Sequence, residues 1–292
     1  MAVSTVERAT SSPALRVRTL RDRDRSAALA YLDRAPLLNL ALADLVARLG
    51  EPAAVEAARP EVLGAWRGRE LAGLAGIAPS VVFDASAERE VLEAFFPHLV
   101  RVGSGLVKST EEVVAPLGDW LAAQGRRVLL DRIEIGFALE PGHARLAAPS
   151  PALRVRDASL ADLDLLVDAA RQSLLEENRP DPSESDPAGF RRWVRGRVGR
   201  AVVAEHEGTL GFVGYADVRS PRGWLLQGVF TWPALRRRGL AAAGVSELCR
   251  RAFANGSAHV QLAVIEGNEP AARLYERLGF RRFARLRTLL FS

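Results

Sequence analysis

One short phrase occurs twice in this chain and divides it. Ala14-Leu15-Arg16-Val17-Arg18 opens one stretch, and Ala152-Leu153-Arg154-Val155-Arg156 opens another. Each copy alternates like a short strand, and each is followed by a polar turn and an apolar-periodic helix: TLRDRDRSAALAYL after the first, DASLADLDLLVDAA after the second. In the second copy Ser159 is placed as the N-cap, with Asp162 three residues on completing an approximate capping box. Both stretches close on a long alternating strand, Arg127 to Leu139 and Phe280 to Phe291. Between them lies EPGHARLAAPSPA, residues 140–152, whose Pro, Gly, Ala and Ser without periodicity read as a linker. A chain of 292 residues cut there gives two pieces of ordinary domain size, 14–140 and 153–292. A tandem duplication explains this; a chance repeat in an Ala/Arg-rich chain is the plainer alternative.

Composition narrows the classes. Hydrophobic residues make up 48% and charged residues 26%, enough apolar material for two cores and too much for a disordered chain. Residues 1–13 are small and polar and are expected to be disordered, with no basic-then-apolar pattern of a signal peptide. No apolar run approaches the roughly 20 residues that cross a bilayer. The single cysteine, Cys249, excludes an intrachain disulfide and a Cys-pair zinc site, and the four histidines have no ligand spacing. No metal is therefore expected, and the cytoplasm is the default compartment. The net charge of +5 rests on arginine, Lys108 being the only lysine. That bias, with the many alanines, marks a GC-rich genome as much as a function, and a modest excess argues against nucleic acid as the main partner. The basic stretch Phe190 to Arg200 keeps that reading open, although Trp193 within it suits a core or pocket wall as well as a base-stacking platform.

The second stretch reads as strand 153–156, helix 159–171, a Pro-rich loop 176–187, a basic helix 188–199, a hairpin of strands 201–206 and 210–218, strand 224–231, helix 239–254, strand 259–265, helix 269–278 and a final strand. The fold class is α/β (α+β), helices layered on a mixed sheet. Between strand 224–231 and its helix stands Arg236-Arg237-Arg238-Gly239-Leu240-Ala241-Ala242. Successive N–H groups at a helix N-terminus, a glycine free to adopt positive φ and two small alanines suit an anion. The Gly-Lys-Ser/Thr ending of a Walker loop is missing. Taken alone, the loop is equally a solvated helix start.

The later run Asn268-Glu269-Pro270-Ala271-Ala272-Arg273-Leu274-Tyr275-Glu276-Arg277-Leu278-Gly279-Phe280 follows strand QLAVI at the expected distance. Together the loop and this run resemble the GNAT (Gcn5-related N-acetyltransferase) superfamily, whose Arg/Gln-x-x-Gly-x-Gly/Ala and Asn-x-x-Ala-x-x-Leu-Tyr-x-x-x-Gly-Phe signatures they fit over residues 153–292. The whole chain resembles a two-domain bacterial subgroup with a divergent, GNAT-like first domain. That domain has no counterpart of the loop, Val102-Gly103-Ser104-Gly105 being a poor candidate. It is expected not to bind acyl-CoA, and to serve as an acceptor-site wall or a dimer contact.

The resemblance implies an acetyl-CoA-dependent N-acetyltransferase acting by direct attack of an amine, of a small molecule or a peptide, in a ternary complex. It sets Val229, Phe230 and Thr231 against the pantetheine arm, the backbone of Arg236, Arg237, Arg238, Gly239, Leu240, Ala241 and Ala242 around the pyrophosphate, and Asn268 with Ala272 beside the cofactor. Tyr275 becomes the acid that protonates the leaving thiolate, a phenol being reasonably matched to it. Each has a plainer role: sheet core for Val229 and Phe230, helix cap for Asn268, packing aromatic for Tyr275. Where many family members carry a glutamate on the strand before the loop, this chain has Gln227. Candidate bases are Glu176, Glu177 and Asp217, the adjacent pair Glu176-Glu177 also being readable as an exposed helix end. A second function is an acyl-CoA sensor that kept the cleft and lost turnover.

Overall fold

A computed structural model describes residues 14–51 and 59–292. The terminal residues 1–13, read above as disordered, lie outside them. The first half runs β1 (Leu15–Thr19), α1 (Arg25–Leu32), α2 (Pro36–Ala47), β2 (Glu61–Arg67), β3 (Glu70–Ala78), β4 (Val82–Phe83), α3 (Arg89–Phe95), β5 (Gly105–Ser109), α4 (Glu111–Ala123) and β6 (Val128–Leu139). The second runs β7 (Leu153–Asp157), α5 (Leu163–Glu176), α6 (Pro187–Arg195), β8 (Ala201–His206), β9 (Thr209–Ser220), β10 (Gly223–Thr231), α7 (Leu240–Ala254), β11 (Val260–Ile265), α8 (Glu269–Arg277) and β12 (Arg281–Phe291). Element for element the order is the same, so the repeat seen in the pentapeptide extends through each half.

The pentapeptide carries a physical device as well. The guanidinium of Arg18 grips both carboxylate oxygens of Asp24 at 2.7 and 3.0 Å, and Arg156 grips Asp162 at 2.8 and 2.8 Å, each partner lying six residues on. The same carboxylates accept a backbone N–H at the helix start, from Arg21 at 2.9 Å and from Ser159 at 2.7 Å. Each acid thus ties a strand to the helix that follows it. The arginine, ahead of the backbone bond, holds both carboxyls down at about 2.

The strands do not stay within their halves. β1–β4 form one antiparallel sheet, and the rest form an eight-stranded sheet in the order β5-β12-β6-β11-β10-β9-β8-β7. β6 pairs with β11 from Val260↔Leu139 to Ile265↔Glu134, while β12 pairs with β5 from Arg287↔Ser109 to Phe291↔Gly105. Each half therefore places its last strand beside the fifth strand of the other, and β6 and β12 pair with one another between those strands. The cores follow: Leu289 and Phe291 complete the core of the first half, and Phe137 and Leu139 complete that of the second.

The segment 140–152 is a docked connection. It must travel from the end of β6, inside the sheet, to β7 at its edge, so it crosses α7 and α8. Arg145 N–H donates to Leu278 O at 2.9 Å, Ala147 N–H to Ser246 Oγ at 2.9 Å, and Ala144 and Leu146 pack on the core beneath. Helix α2, PLLNLALADLVA, is apolar nearly all round because it is covered twice: it packs on β2–β4 of its own half and on β9 and β10 of the other. Helix α5 runs to Glu176, five residues beyond the reading from sequence, and α6 stops at Arg195, short of it. Among the described residues no helix is long and apolar enough to cross a membrane.

Candidate active site

Within the large sheet β10 and β11 are parallel neighbours, yet they pair only at Trp224↔Val260 and Leu225↔Gln261. Beyond that point β10 follows β9 to Thr231↔Phe212 and β11 follows β6 to Ile265↔Glu134, so the two strands open a wedge between them. The cause is local. β10 shifts register against β9 between Gln227 and Phe230, around Gly228 at φ +56°. A bulge of this kind bends its strand and leaves backbone groups unpaired. A side chain at Gly228 would stand 3.0 Å from the Tyr215 ring in a left-handed conformation, so the bend requires glycine. Gln227 and Gly228 are accordingly exposed in the middle of a sheet.

The wedge widens toward the loop singled out in the sequence. A 3-10 turn at Pro233–Leu235 ends at Arg236; Arg237 (φ +65°) and Gly239 (φ +82°) are left-handed, and α7 begins at Leu240. Among the described residues none of the backbone N–H groups of residues 237–242 has a hydrogen-bond acceptor. They converge at the positive end of a 15-residue helix. The three arginines differ. Arg237 and Arg238 are exposed and unpaired among the described residues, whereas Arg236 binds both carboxylate oxygens of Glu176 at 2.6 and 2.7 Å and donates from Nε to Thr231 O at 3.0 Å. Below the loop, Gly244 lets α7 lie on β9, since a Cβ there would fall 2.1 Å from the Phe212 ring.

On the other lip of the wedge, β11 is followed by a short turn through Gly267 to Asn268. The Asn268 side chain caps α8, accepting from Ala271 N–H at 3.2 Å, with Pro270 in the first turn. The cap read from sequence is present, and the side-chain N–H donors of Asn268 are unengaged among the described residues. Ala272 and Tyr275 are buried one turn apart on α8. The Tyr275 ring packs 6.2 Å from Phe137 and 5.5 Å from Phe280, centre to centre, so the packing role is real. Its hydroxyl makes no hydrogen bond among the described residues, and burial, reinforced by nearby Cys249, pushes its pKa well above the ordinary phenol value. The group is a neutral donor at any physiological pH.

The two faces of the sheet are distinct. α7 and α8 cover one, with Leu226 and Val229; α5 and α6 cover the other, with Tyr215 and Phe230. Phe230 thus turns its side chain from the loop face and stacks edge-on against Trp232 at 5.4 Å, so only its backbone is available to a ligand lying under α7. Thr231 has its carbonyl taken by Arg236.

The carboxylates proposed from sequence are all engaged. Glu176 holds Arg236. Glu177 accepts from Arg132 Nη2 at 2.9 Å and from Ser173 Oγ at 3.3 Å. Asp217 is gripped by Arg197 at 3.1 and 2.5 Å, and that guanidinium lies 4.1 Å over the Tyr215 ring. Burial pushes the Tyr215 phenol, opposite Gln227, up to about 12. Two groups escaped the sequence reading. Arg132 and Glu134, on β6 of the first half, reach the second half through the exchanged strand. The signal was a charged pair inside an otherwise apolar alternation, DRIEIGFAL. Glu134, only 2% exposed, is satisfied by Lys108, by Arg132 Nε at 2.9 Å and by Thr288 Oγ1 at 2.8 Å. Val102–Gly105, the weak loop candidate of the first half, runs into the start of β5 and is bound through the carbonyls of Val102 and Gly103 to Arg126. An open recess of about 420 Å³ between Arg219, Trp224 and Arg251 lies at the far end of β10 from the wedge.

Comparison with known proteins agrees with this geometry. Residues 166–280, from α5 to the start of β12, match the family model described as the acetyltransferase (GNAT) family. A search of curated proteins gave no match. Among solved structures, a Drosophila protein superposes with a TM-score of 0.72 at 14% identity, covering 94% of this chain and 97% of that one. A tandem GNAT protein from the clavulanic acid biosynthesis pathway gives 0.54 at 17%, covering 95% and 98%. A GCN5-related N-acetyltransferase from Sphaerobacter thermophilus gives 0.56 at 17%, covering 95% of each chain. At these identities the likeness is one of fold, and it extends across both halves. Residues 166–280 thus form a GNAT acetyltransferase-family domain, and the fold likeness to a tandem GNAT structure extends over the rest of the chain.

Proposed function

We propose that the chain is an acetyl-CoA-dependent N-acetyltransferase, with donor binding and chemistry in 153–292 and a non-catalytic first half, 14–140. The observation that carries this reading is the row of N–H groups at 237–242, unengaged among the described residues, beside the wedge between β10 and β11. The residues present fit the cofactor. The amides cradle its pyrophosphate, and Arg237 and Arg238 add attraction from the surface. Val229 and the backbone of Phe230 and Thr231 line the pantetheine arm. Asn268 offers its amide donors to it while its oxygen stays on the cap, and Ala272 keeps the first turn of α8 low. Acetyl-CoA brings the activated thioester; a β10 amide freed by the bulge polarises its carbonyl as an oxyanion donor does. Tyr275, neutral and with an unengaged hydroxyl, delivers a proton to the departing sulfur.

The acceptor side of the reading rests on what is missing. Gln227 cannot take a proton, and Glu176, Glu177 and Asp217 are each held by an arginine. The amine must therefore arrive largely neutral. At pH 7 that asks about 1 kcal/mol of an α-amine with pKa near 7.8, against roughly 4–5 kcal/mol for a lysine near 10.4. An α-amine or another weakly basic amine is the substrate class this favours. The same shortage of a base favours the second reading, an acyl-CoA sensor without turnover. Thiol release from acetyl-CoA over a panel of amines, with calorimetric CoA binding on the same protein and on Tyr275→Phe, separates the two. Turnover on α-amines that falls in Tyr275→Phe supports the transferase. CoA binding with no turnover supports the sensor, and no CoA binding removes both.

A further inference from the structure

The C-terminal end of α5 spans the wide end of the wedge. Glu176 is fixed to Arg236 and, through it, to the end of β10; Glu177, next in sequence, is fixed to Arg132 on β6, the strand beside the end of β11. Arg132 and Glu134 lie on the α5 face of the sheet, since Ile135 and Phe137, at the alternate positions just beyond them, pack on the α7 side.

Charge at the junction does not balance. Three cations, Lys108, Arg132 and Arg179, stand against two carboxylates, Glu134 and Glu177. Glu134 is used up by Lys108, Arg132 and Thr288. Arg132 spends its fork on Glu134 and Glu177. Arg179 is left over: among the described residues its one charged neighbour is Glu177 Oε2 at 3.6 Å, beyond hydrogen-bond range, and its buried Nε has no acceptor, while the side chain as a whole stays 27% exposed. A buried guanidinium N–H without a partner is costly unless something supplies an oxygen.

We propose that the acceptor bears its own carboxylate close to the amine, and that this carboxylate seats on Arg179 with Arg132 behind it, at the junction of the two halves. The inference rests on the transferase reading and narrows its substrate class. An anion there completes Arg179, leaves the Glu134 cluster intact, and anchors the acceptor so that its amine points into the wedge. Specificity is then written partly by the first half, through β6.

The test uses dipeptides paired with their C-terminal carboxamides, which keep the α-amine and remove only the charge. Each pair is titrated calorimetrically into the CoA-loaded full chain, wild type, Arg179→Gln and Arg179→Lys, and also assayed for thiol release. The expected result is a preference for the free acid of roughly tenfold or more. It should fall to near parity in Arg179→Gln and return in part in Arg179→Lys, with CoA affinity unchanged in all three as evidence of an intact fold. Equal affinity within every pair, no binding of any free acid, or a preference that survives Arg179→Gln overturns the proposal. Because binding is read apart from turnover, an acid preference without thiol release would count against the transferase and leave the site standing.

Discussion

The two halves share one element order but differ at the turn that follows their fourth strand. In the second half, the turn before α7 offers amides without an acceptor among the described residues and two exposed arginines, Arg237 and Arg238. In the first, the amides of residues 85–87 ahead of α3 are taken from within, while those of 88–90 at the helix start have no acceptor among the described residues. Asn39 Oδ1 accepts from Ala85 N–H at 2.9 Å, Asp84 Oδ1 accepts from Ser86 N–H at 2.9 Å, and Asn39 Nδ2 bridges to Asp84 at 3.1 Å. The charge is reversed too, with Asp84, Glu88 and Glu90 where the other half has arginine. β4, only two residues long, does not pair with β5 at all. A helix start is an anion site only while its amides stay free and the field around it stays positive. The surrounding charge is what most separates the two turns, and the strand exchange makes each half depend on the other for its sheet.

That dependence gives the largest expected effect. Ending the chain at Phe280 removes β12, which lies between β5 and β6 and carries Leu289 and Phe291 into the first core. Both halves should fail together, with no cooperative thermal transition by calorimetry; survival of a folded second half alone would break the account of the exchange. Next comes Gly239→Val, which forces a β-branched residue to φ +82°, a Cβ there meeting only Leu153 Cδ1 at an ordinary 3.7 Å. CoA affinity should fall on the order of tenfold to a hundredfold by titration, a local strain of about 1–3 kcal/mol, with the fold retained. Tyr275→Phe should lower kcat roughly ten- to a hundredfold while CoA affinity and thermal stability hardly move, because the hydroxyl has no partner to lose. The wild-type rate should also show no alkaline loss at the ordinary phenol pKa, since burial raises that of Tyr275.

Smaller effects sharpen the likeness rather than the difference. Asp24→Asn and Asp162→Asn remove the same strand-to-helix tie in each half and should each cost about 1–2 kcal/mol at pH 7. Their wild-type carboxyls sit at about 2, below the usual 3.8. The stabilisation is full above 3.8 and is lost as pH falls through about 2, so variant and wild type should converge there in denaturant titrations. Replacing Arg237 and Arg238 together by Gln should weaken CoA only a few-fold and flatten its salt dependence.

Much of this was legible in the sequence, and the rest was not for definite reasons. Alternation and turn residues placed the second-half strands within a residue or two, because half-buried strands must alternate. The capping pair Ser159–Asp162 and the cap at Asn268 are local and therefore readable. The exchange of β6 and β12 was not, since alternation says which face a residue takes and nothing about which strand lies beside it. For the same reason Arg132 and Glu134, distant in sequence from α5, went unnoticed as partners of its end. Glu176 and Glu177 looked like free acids because their arginines come from the loop and from the other half. The segment 140–152 has a linker's composition, but the path from mid-sheet to edge docks it on α7 and α8.

The most direct test of the central claim is the stoichiometry of CoA binding to the intact chain by calorimetry. One equivalent per chain, lost or much weakened in Gly239→Val and unchanged in Glu88→Gln, is the predicted result. Two equivalents, none, or a single site indifferent to Gly239→Val would contradict the assignment of the open turn as the donor site.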